Sequence, residues 1–266
     1  MQASDPGSAV STTQTSLEVL ETLCELDGAR VTTVADRLDV AKSTAHKHLR
    51  TLEECGYLRK EGNRYHIGLR FLHFGEYARR RWPGFECIQN AVSSLTEETE
   101  EEVDFVAEDH GRILTIVESY HKWVKYTGGR DESQYRARIG TYYYMHATAT
   151  GKAILAAYPT GRVEETVDRW GLPAKTDRTI TDREALFEEL SAIRADGYAV
   201  DDEEYTDGLR SVGKAVRAPD GSVLGALSVS GPTYRIDGAV LEREIPAALD
   251  RAVEELESEI AERGAY

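Results

Sequence analysis

Apolar side chains recur at helical spacing in the first quarter of the chain, where they predict three short helices separated by polar turns. The predicted helices cover residues 15–26, 31–38 and 43–56. Thr32 or Thr33 can cap the second helix, and Lys42 or Ser43 opens the third. Residues 1–12 contain neither a basic segment nor an apolar run, so we expect a disordered lead rather than a signal peptide.

The third predicted helix has one apolar side, formed by Ala45, Leu49 and Leu52, and Gly56 supplies its left-handed stop. Beyond Gly56, two segments alternate between apolar and polar residues with period two, which predicts a β-hairpin. They cover residues 57–60 and 64–67. The order of helix, short helix, turn, helix and hairpin is typical of a winged helix-turn-helix domain, here over residues 13–67.

The exposed side of the third helix and the hairpin tip supply the candidate DNA contacts. These are Lys42, Ser43, Thr44, His46, Lys47, Arg50, Lys60, Asn63 and Arg64. Because a helix fits the major groove, Thr44, His46 and Lys47 are predicted to reach or approach base edges. Predicted phosphate contacts come from Ser43, Arg50, Lys60 and Arg64. A three-helix interaction module with solvated charges would show a similar pattern and is the alternative.

Residues 68–82 are predicted to form a helix with more than one buried face. Its two apolar stripes consist of Leu69, Leu72 and Tyr77, and of Phe71, Phe74 and Ala78. Pro83 and Gly84 then break it. This helix either links two domains or is the first core helix of the second domain, and the two roles are compatible.

Residues 83–266 mix strands with helices. The predicted strands cover residues 103–108, 113–119, 212–217 and 222–230, and the predicted helices cover residues 85–101, 148–158, 182–196 and 237–262. Antiparallel strands with flanking helices indicate an α+β fold. In the last strand, period two places Ser228 and Ser230 on one face. Two adjacent hydroxyls can hold a carboxylate or a polyol, although an exposed polar sheet face would look the same.

Charge divides the chain into two parts. The net charge is −15, yet residues 11–81 hold 12 basic and 10 acidic residues, whereas residues 82–266 hold 20 and 36. Because phosphates repel carboxylates, double-stranded DNA would bind the amino-terminal part. Only 8 of the 32 basic residues are Lys. This acidic, lysine-poor composition predicts a salt-adapted, halophilic protein, with an ordinary acidic protein as the alternative.

The sequence lacks the patterns that are typical of membrane spans, disulfides, zinc sites and phosphate-binding loops. No apolar run reaches the length of a membrane span, and three widely spaced cysteines predict neither disulfides nor a zinc site. Gly151 and Lys152 lack the rest of a phosphate-binding loop. Residues 201–204 are four carboxylates that could act as an acid–base pair or bind a hard metal ion, but such a run is more often a solvated turn. We therefore expect a cytoplasmic protein with no membrane partner, metal, cofactor or enzymatic activity.

Four blocks together resemble the IclR family of transcriptional regulators. The first, VTTVADRLDVAKSTAHKHLRTLEECGYL followed by NRYHIGLRFLHFG, lies in the predicted winged helix. The others are MHATATGKAILA, GYAVDDEEYTDGLRSV and GALSVSGP, in the family's order and spacing. The resemblance implies repressors or activators in which a linker helix pairs subunits into dimers or tetramers. It also implies a GAF-like carboxy-terminal domain, over residues 83–266, that senses organic acids, aromatic acids or sugar-derived compounds.

The resemblance further implies an effector pocket. The positions that match it are Gly151, Asp201, Ser211, Ser228 and Ser230. Ser211 stands where the family usually has a cysteine, so a hydroxyl replaces a thiol as the hydrogen-bonding group. The three tyrosines at residues 142–144 could form the rim of this pocket or belong to the core.

These patterns predict a regulator that binds a pseudo-palindromic operator of a catabolic operon and whose DNA affinity is controlled by a small metabolite. The main alternative is a metabolite-binding protein or enzyme that carries a vestigial winged helix. A second alternative is an architectural DNA-binding protein without a ligand.

Overall fold

The computed structural model of the chain describes residues 9–120 and 139–264. The chain divides into two compact units, residues 1–80 and residues 81–266. None of the helices in the described ranges combines the length and the apolar character needed to cross a membrane.

The first unit packs three helices against a hairpin and continues into a fourth helix. Its elements are α1 (Ser11–Glu25), α2 (Val31–Arg37), α3 (Lys42–Glu54), β1 (Leu58–Glu61), β2 (Arg64–Ile67) and α4 (Arg70–Arg80). The hairpin pairs Leu58 with Ile67 and Glu61 with Arg64. Tyr65, which is 2% exposed, lies in the core of this unit. The predicted order of winged helix-turn-helix elements is confirmed.

Helix α3 has the predicted inner side. It begins at Lys42, and both Ala45 and Leu49 are fully buried. The left-handed Gly56 (φ +78°) follows it, as the sequence predicts. The predicted cap of α2 is wrong, because Thr32 lies inside the helix and no side chain bonds to its first turn.

Helix α1 starts earlier than predicted, so residues 11 and 12 are helical and do not belong to a disordered lead. The main-chain N–H of Thr13 donates to the Val10 carbonyl at 2.9 Å. The Thr15 hydroxyl donates to the Ser11 carbonyl at 3.1 Å. These bonds extend the helix by one turn beyond the apolar pattern. The first eight residues of the predicted lead lie outside the described ranges.

Helix α4 lies within the predicted linker helix, but the predicted buried faces are wrong. Among the described residues, no side chain of α4 is buried. Phe71 and Phe74 contact the ring of Tyr57, with centroids 5.2 and 6.0 Å away. Leu72 and Tyr77, from the other predicted stripe, stay 69% and 59% exposed. Phe71 and Phe74 therefore contact their own unit without being buried, whereas Leu69, Leu72 and Tyr77 remain largely exposed.

The second unit is built around one antiparallel sheet. Its helices are α5 (Phe85–Thr99), α6 (Ala149–Ala157), α7 (Thr160–Trp170), α8 (Arg183–Asp196) and α9 (Ile245–Arg263). Its strands are β3 (Glu102–Asp109), β4 (Arg112–Ser119), β5 (Tyr142–Tyr143), β6 (Ala199–Asp202), β7 (Leu209–Arg217) and β8 (Val223–Pro232). Within the described residues the strand order is β5-β4-β3-β8-β7-β6. The predicted α+β fold class is confirmed.

Helices cover both faces of this sheet. Leu227 and Val229 pack into a core with α5 and α9, whereas Val106 and Ala226 pack into a second core with α6 and α8. The alternation predicted for β8 is therefore observed. Ser228 and Ser230 are 4% and 5% exposed, so the alternative of an exposed polar sheet face is wrong.

Candidate functional site

The outer side of α3 exposes most of the predicted DNA contacts. Lys42, Ser43, His46, Lys47 and Arg50 are exposed, and Thr44 is half-buried. Arg50 forms an ion pair with Glu54 at 2.6 Å, which engages its guanidinium in the free protein. The helix thus presents a polar surface of the width that a major groove accepts.

The hairpin tip exposes Lys60, Asn63 and Arg64. The Lys60 ammonium lies 5.3 Å from the centre of the Tyr65 ring. The Arg64 guanidinium donates to the Gly28 carbonyl at 2.5 Å, so it ties the hairpin to the turn after α1. Arg64 therefore has a structural contact in addition to its predicted phosphate contact.

Strand register in the second unit aligns polar side chains in a row. Asp201 pairs with Ser211 across β6 and β7, and Ser211 pairs with Ser230 across β7 and β8. One step along, Ser228 pairs with Asp104 of β3. Four predicted effector residues thus lie on neighbouring strands together with Asp104, which the sequence analysis did not identify.

Hydrogen bonds fix the orientation of these hydroxyls. The Ser228 hydroxyl donates to the Asp104 carboxylate, and the Ser230 hydroxyl donates to Ser211 Oγ at 2.9 Å. Asp201 Oδ1 accepts the main-chain N–H of Glu204 at 2.7 Å. All of these side chains are buried.

A cavity of about 30 Å³ lies over this row of residues. Asp104, Asp201, Ser211 and Ser228 line it, whereas Ser230 lies behind Ser211. The other polar lining residues are Tyr143, Thr148, Thr150 and Tyr205, and the apolar ones are Val106, Ile113 and Ala149. The volume suits one water molecule, so a metabolite requires the walls to move apart.

Gly151 has a different place from the other four predicted effector residues. It lies in the first turn of α6, where its N–H donates to the N-cap hydroxyl of Thr148 at 3.1 Å. A side chain at Gly151 would collide with the main chain of Met145. Gly213 has the same role across the sheet, because a Cβ there would lie 2.8 Å from the Ala149 carbonyl carbon. Gly151 thus lets α6 pack against the main chain of Met145, and Gly213 lets the start of α6 pack closely against β7.

A buried ion pair lies behind the cavity. Lys152, 1% exposed, donates to Glu189 at 2.9 Å and also to Glu204. Asp201 and Glu204 are 3% and 7% exposed, so the predicted solvated turn is wrong for these two residues, whereas the Asp202 side chain stays 45% exposed. The reason is that Lys152, about 50 residues earlier, supplies the cation that an isolated acidic run lacks.

Burial raises the pKa of the Asp201 carboxyl to about 7, and the neighbouring carboxylate of Glu204 adds to the shift. Burial also raises the pKa of Glu204, although Lys152 opposes that change. Near neutral pH, Asp201 can therefore accept or donate a proton in hydrogen bonds to a bound molecule.

The three tyrosines at residues 142–144 have separate roles. Tyr143 is buried and lines the cavity, where its ring meets that of Tyr205 edge-on. Tyr142 and Tyr144 instead contact the Arg112 guanidinium, each with its ring centre 5.1 Å away. One tyrosine thus belongs to the cavity, and the other two lie outside its lining.

Among the described residues, no group of three His, Cys, Asp or Glu side chains is arranged to hold a metal ion. The residues that the sequence analysis missed are Asp104, Thr148, Thr150 and Tyr205. A threonine at the start of the predicted helix over residues 148–158 is a signal that could have identified Thr148, whereas no local signal indicates Asp104. Its role follows from pairing with a strand 124 residues away.

Family comparisons match both units. Residues 14–62 match the IclR helix-turn-helix domain, and residues 85–258 match the carboxy-terminal domain of the bacterial transcriptional regulator IclR. This chain belongs to the IclR family of transcriptional regulators. The predicted family resemblance is thereby confirmed.

Individual IclR relatives extend over nearly the whole chain. The probable HTH-type transcriptional regulator ArcR of Halobacterium salinarum is 29% identical over 91% of this chain and 90% of its own. The regulator BhcR of Paracoccus denitrificans is 30% identical, and the match covers 90% of this chain and 83% of BhcR. The crystal structure of Thermotoga maritima IclR is 26% identical in sequence and matches this fold with a TM-score of 0.70. The match covers 94% of this chain and 98% of that structure.

Proposed function

We propose that this IclR-family regulator binds an operator through α3 and the hairpin, and that a small metabolite in the cavity of the second unit controls that binding. The observation that carries the proposal is the row of buried polar residues, Asp201, Ser211, Ser228 and Asp104, around a cavity. Burying this many polar groups costs free energy unless each is hydrogen-bonded, so a row of them beside a cavity favours a binding site over simple packing.

In this proposal, Lys47 and its neighbours Thr44 and His46 reach base edges. Ser43, Arg50, Lys60 and Arg64 contact phosphates, and Lys42 and Asn63 lie beside them. The exposure of the outer side of α3 supports these roles, as does the anchoring of its inner side by Ala45 and Leu49. Phosphate contacts position the protein, and base contacts select the sequence.

We further propose that two subunits pair through the exposed stripe of α4. Leu69, Leu72 and Tyr77 expose 82%, 69% and 59% of their surface, which a second copy would cover. A two-fold dimer presents two recognition helices to a pseudo-palindromic operator. Dimers of dimers are equally compatible with this stripe.

Control of DNA binding by a metabolite requires that the metabolite bind two conformations of the protein with different affinities. A ligand shifts operator binding only if it binds more tightly to one conformation than to another. Because the cavity holds about 30 Å³, its walls must separate when a metabolite enters, and that movement supplies two conformations. The response would take place in the cytoplasm, where both operator and metabolite are present.

Sequencing of DNA that co-precipitates with the protein in its host tests the proposal. The expected result is a palindromic motif upstream of a catabolic operon, and metabolites of that pathway should then change binding to the isolated motif. Uniform coverage without a motif would contradict specific recognition. Binding that no pathway metabolite alters would contradict control through the cavity.

The competing function is an enzyme or metabolite-binding protein with a vestigial winged helix. The family is one of transcriptional regulators, and we propose that this member is not catalytic. Incubating the full chain with metabolites of the regulated pathway separates the two functions. Unchanged metabolites are expected, and turnover would favour the enzyme.

A further inference from the structure

Gly28 lies in the turn between α1 and α2 and bonds to two elements at once. Its N–H donates to the Leu23 carbonyl of α1 at 2.8 Å, and its carbonyl accepts the Arg64 guanidinium of the hairpin at 2.5 Å. The next residue, Ala29, exchanges two main-chain hydrogen bonds with Tyr65, at 3.0 and 2.8 Å. This turn therefore ties the second strand of the hairpin to α1.

The missing side chain of Gly28 makes room for a side chain of the hairpin. Its φ of +86° lies in the left-handed region, and a Cβ there would lie 2.3 Å from two atoms of the His66 ring, Cε1 and Nδ1. Residues two apart on a strand project to the same face, so Arg64 and His66 face Gly28 from the same side of β2.

The hairpin is short and depends on such support. Its two strands have four residues each, and a two-stranded hairpin on its own is marginally stable at best. Lys60 and Asn63 at the tip are exposed. Arg64 directly follows Asn63, so its bond to Gly28 holds the chain at the point where the tip ends.

Helix α1 also holds α3. Ser16 Oγ of α1 lies 2.8 Å from His48 Nδ1 of α3, and Leu23 and Leu49 pack in one core. Because α1 carries both α3 and the turn at Gly28, the turn sets the position of the hairpin tip relative to α3. Two elements that are held in place before binding lose less conformational freedom when they contact DNA.

From these contacts we infer that Gly28 is a positioning residue for DNA binding, which holds the hairpin tip where it reaches the duplex together with α3. Gly28 contacts no DNA itself and acts through Arg64 and His66 on the placement of Lys60. The inference rests on the proposed DNA-binding function. It gives Arg64 an anchoring role in addition to its predicted phosphate contact.

A double-mutant cycle on the full chain tests this role, with fluorescence anisotropy of a mixed-sequence DNA duplex as the readout. In the original protein, Lys60→Ala should weaken Kd by about fivefold to tenfold at ~0.1 M salt, because one phosphate contact is lost. A displaced tip has already lost that contact, so in Gly28→Ala the same change should alter Kd by less than about twofold. Gly28→Ala alone should reduce the salt slope by about 0.9, although it removes no charge.

Gly56→Ala is the matched control. Gly56 is also left-handed, at φ +78°, but the nearest atom to its Cβ position belongs to Arg70 at 3.7 Å, which is an ordinary contact. This variant therefore reproduces the backbone strain without the collision with the hairpin. Lys60→Ala should keep its full effect in the Gly56→Ala background. Loss of the effect there would attribute the coupling to general destabilisation and overturn the inference.

Arg64→Met tests the same anchor without backbone strain, and it replaces Gly28→Ala if that variant does not fold. It removes the bond to the Gly28 carbonyl, so it should also reduce the effect of Lys60→Ala to less than about twofold. If Arg64 only contacted a phosphate, the effects of the two substitutions on the binding free energy would add.

Additive effects in Arg64→Met, or in a folded Gly28→Ala, would overturn the inference. An unchanged Kd in Lys60→Ala would overturn it too, because the tip would then make no contact to position. Both outcomes leave the proposed function standing as long as Lys47→Ala weakens binding to the co-precipitated motif. Co-precipitation without any motif would instead contradict the proposed function itself.

Discussion

Lys152 on α6 and Glu204 after β6 form an ion pair in which the lysine side chain is 1% exposed and the carboxylate 10%. The main-chain N–H of this same glutamate donates to Asp201 Oδ1. A single buried lysine thus holds the loop that orients a cavity carboxylate. A buried pair loses much more when one partner is removed than it contributes as a pair, because the remaining charge is stranded.

Replacing Lys152 with Met should therefore lower the free energy of unfolding by about 3–5 kcal/mol. Chemical denaturation of the full chain measures the change. Lys214→Met is the matched control, because Lys214 forms a surface pair with Asp250, whose side chain is 53% exposed. That control should cost no more than about 1 kcal/mol. Similar losses in the two variants would contradict a special role for Lys152.

Asp201 should make stability depend on pH in a defined direction. Its pKa is about 7 in the folded protein, against about 3.9 in an unfolded chain. Between these values the folded state retains a proton that the unfolded state has lost. The free energy of unfolding therefore falls as pH rises from about 4 to 7 and then levels off.

Because Asn cannot titrate, Asp201→Asn should remove this pH-dependent part of the free energy of unfolding. The melting temperature of the variant, relative to that of the original protein, should be higher at pH 8 than at pH 5. The control variant Asp168→Asn should differ from the original protein in melting temperature by the same amount at pH 5 and at pH 8. A pH-independent effect of Asp201→Asn would show that this carboxyl does not hold a proton in the folded state.

Two helical glycines should respond oppositely to alanine. A methyl group at Gly151 would meet the Met145 main chain, which cannot yield as a flexible side chain does. We expect Gly151→Ala to cost about 1–3 kcal/mol or more. Gly161 in α7 has open space around its Cβ position, so Gly161→Ala should be neutral or stabilise by about 0.5–1 kcal/mol. Chemical denaturation measures the free energy of unfolding of both variants. A Gly151→Ala variant as stable as the original protein would refute the close contact with Met145.

Lys47 and Lys60 should weaken DNA binding in different ways. Lys47→Ala should lower affinity for the operator by about 1–3 kcal/mol and leave non-specific binding almost unchanged, because it loses a base contact. Lys60→Ala should weaken both kinds of binding and reduce the salt slope by about 0.9. Titrations at several salt concentrations distinguish them, with Arg169→Ala on α7 as the control. Unchanged operator affinity in Lys47→Ala would remove that residue from the interface.

The exposed stripe of α4 should control assembly. Leu72→Arg places a charge where we expect a second subunit, so the sedimentation mass should fall to that of a monomer. Tyr234 in the second unit is also exposed, at 76%, and Tyr234→Arg should leave the mass unchanged. An oligomer that persists in Leu72→Arg would place the interface elsewhere.

The sequence by itself determined the features that repeat locally. The spacing of Ala45 and Leu49 gave the inner side of the recognition helix, and the alternation in β8 separated Ser228 from Leu227. Helix and strand periods are properties of neighbouring residues, so they can be read without a partner. The motif blocks indicated the family and the predicted effector residues. Of these, the fold brings Asp201, Ser211, Ser228 and Ser230 together on neighbouring strands, and Gly151 lies in the first turn of α6.

Only the tertiary structure decided which charges are buried. Asp201 and Glu204 belong to an acidic run that looks solvated until Lys152 packs behind it. Asp104 enters the cavity because β3 pairs with β8, and only the folded structure shows that Leu69 and Leu72 of α4 stay 82% and 69% exposed. Strand register and the burial of a charge depend on partners distant in sequence, and such partners are fixed only when the whole chain has folded.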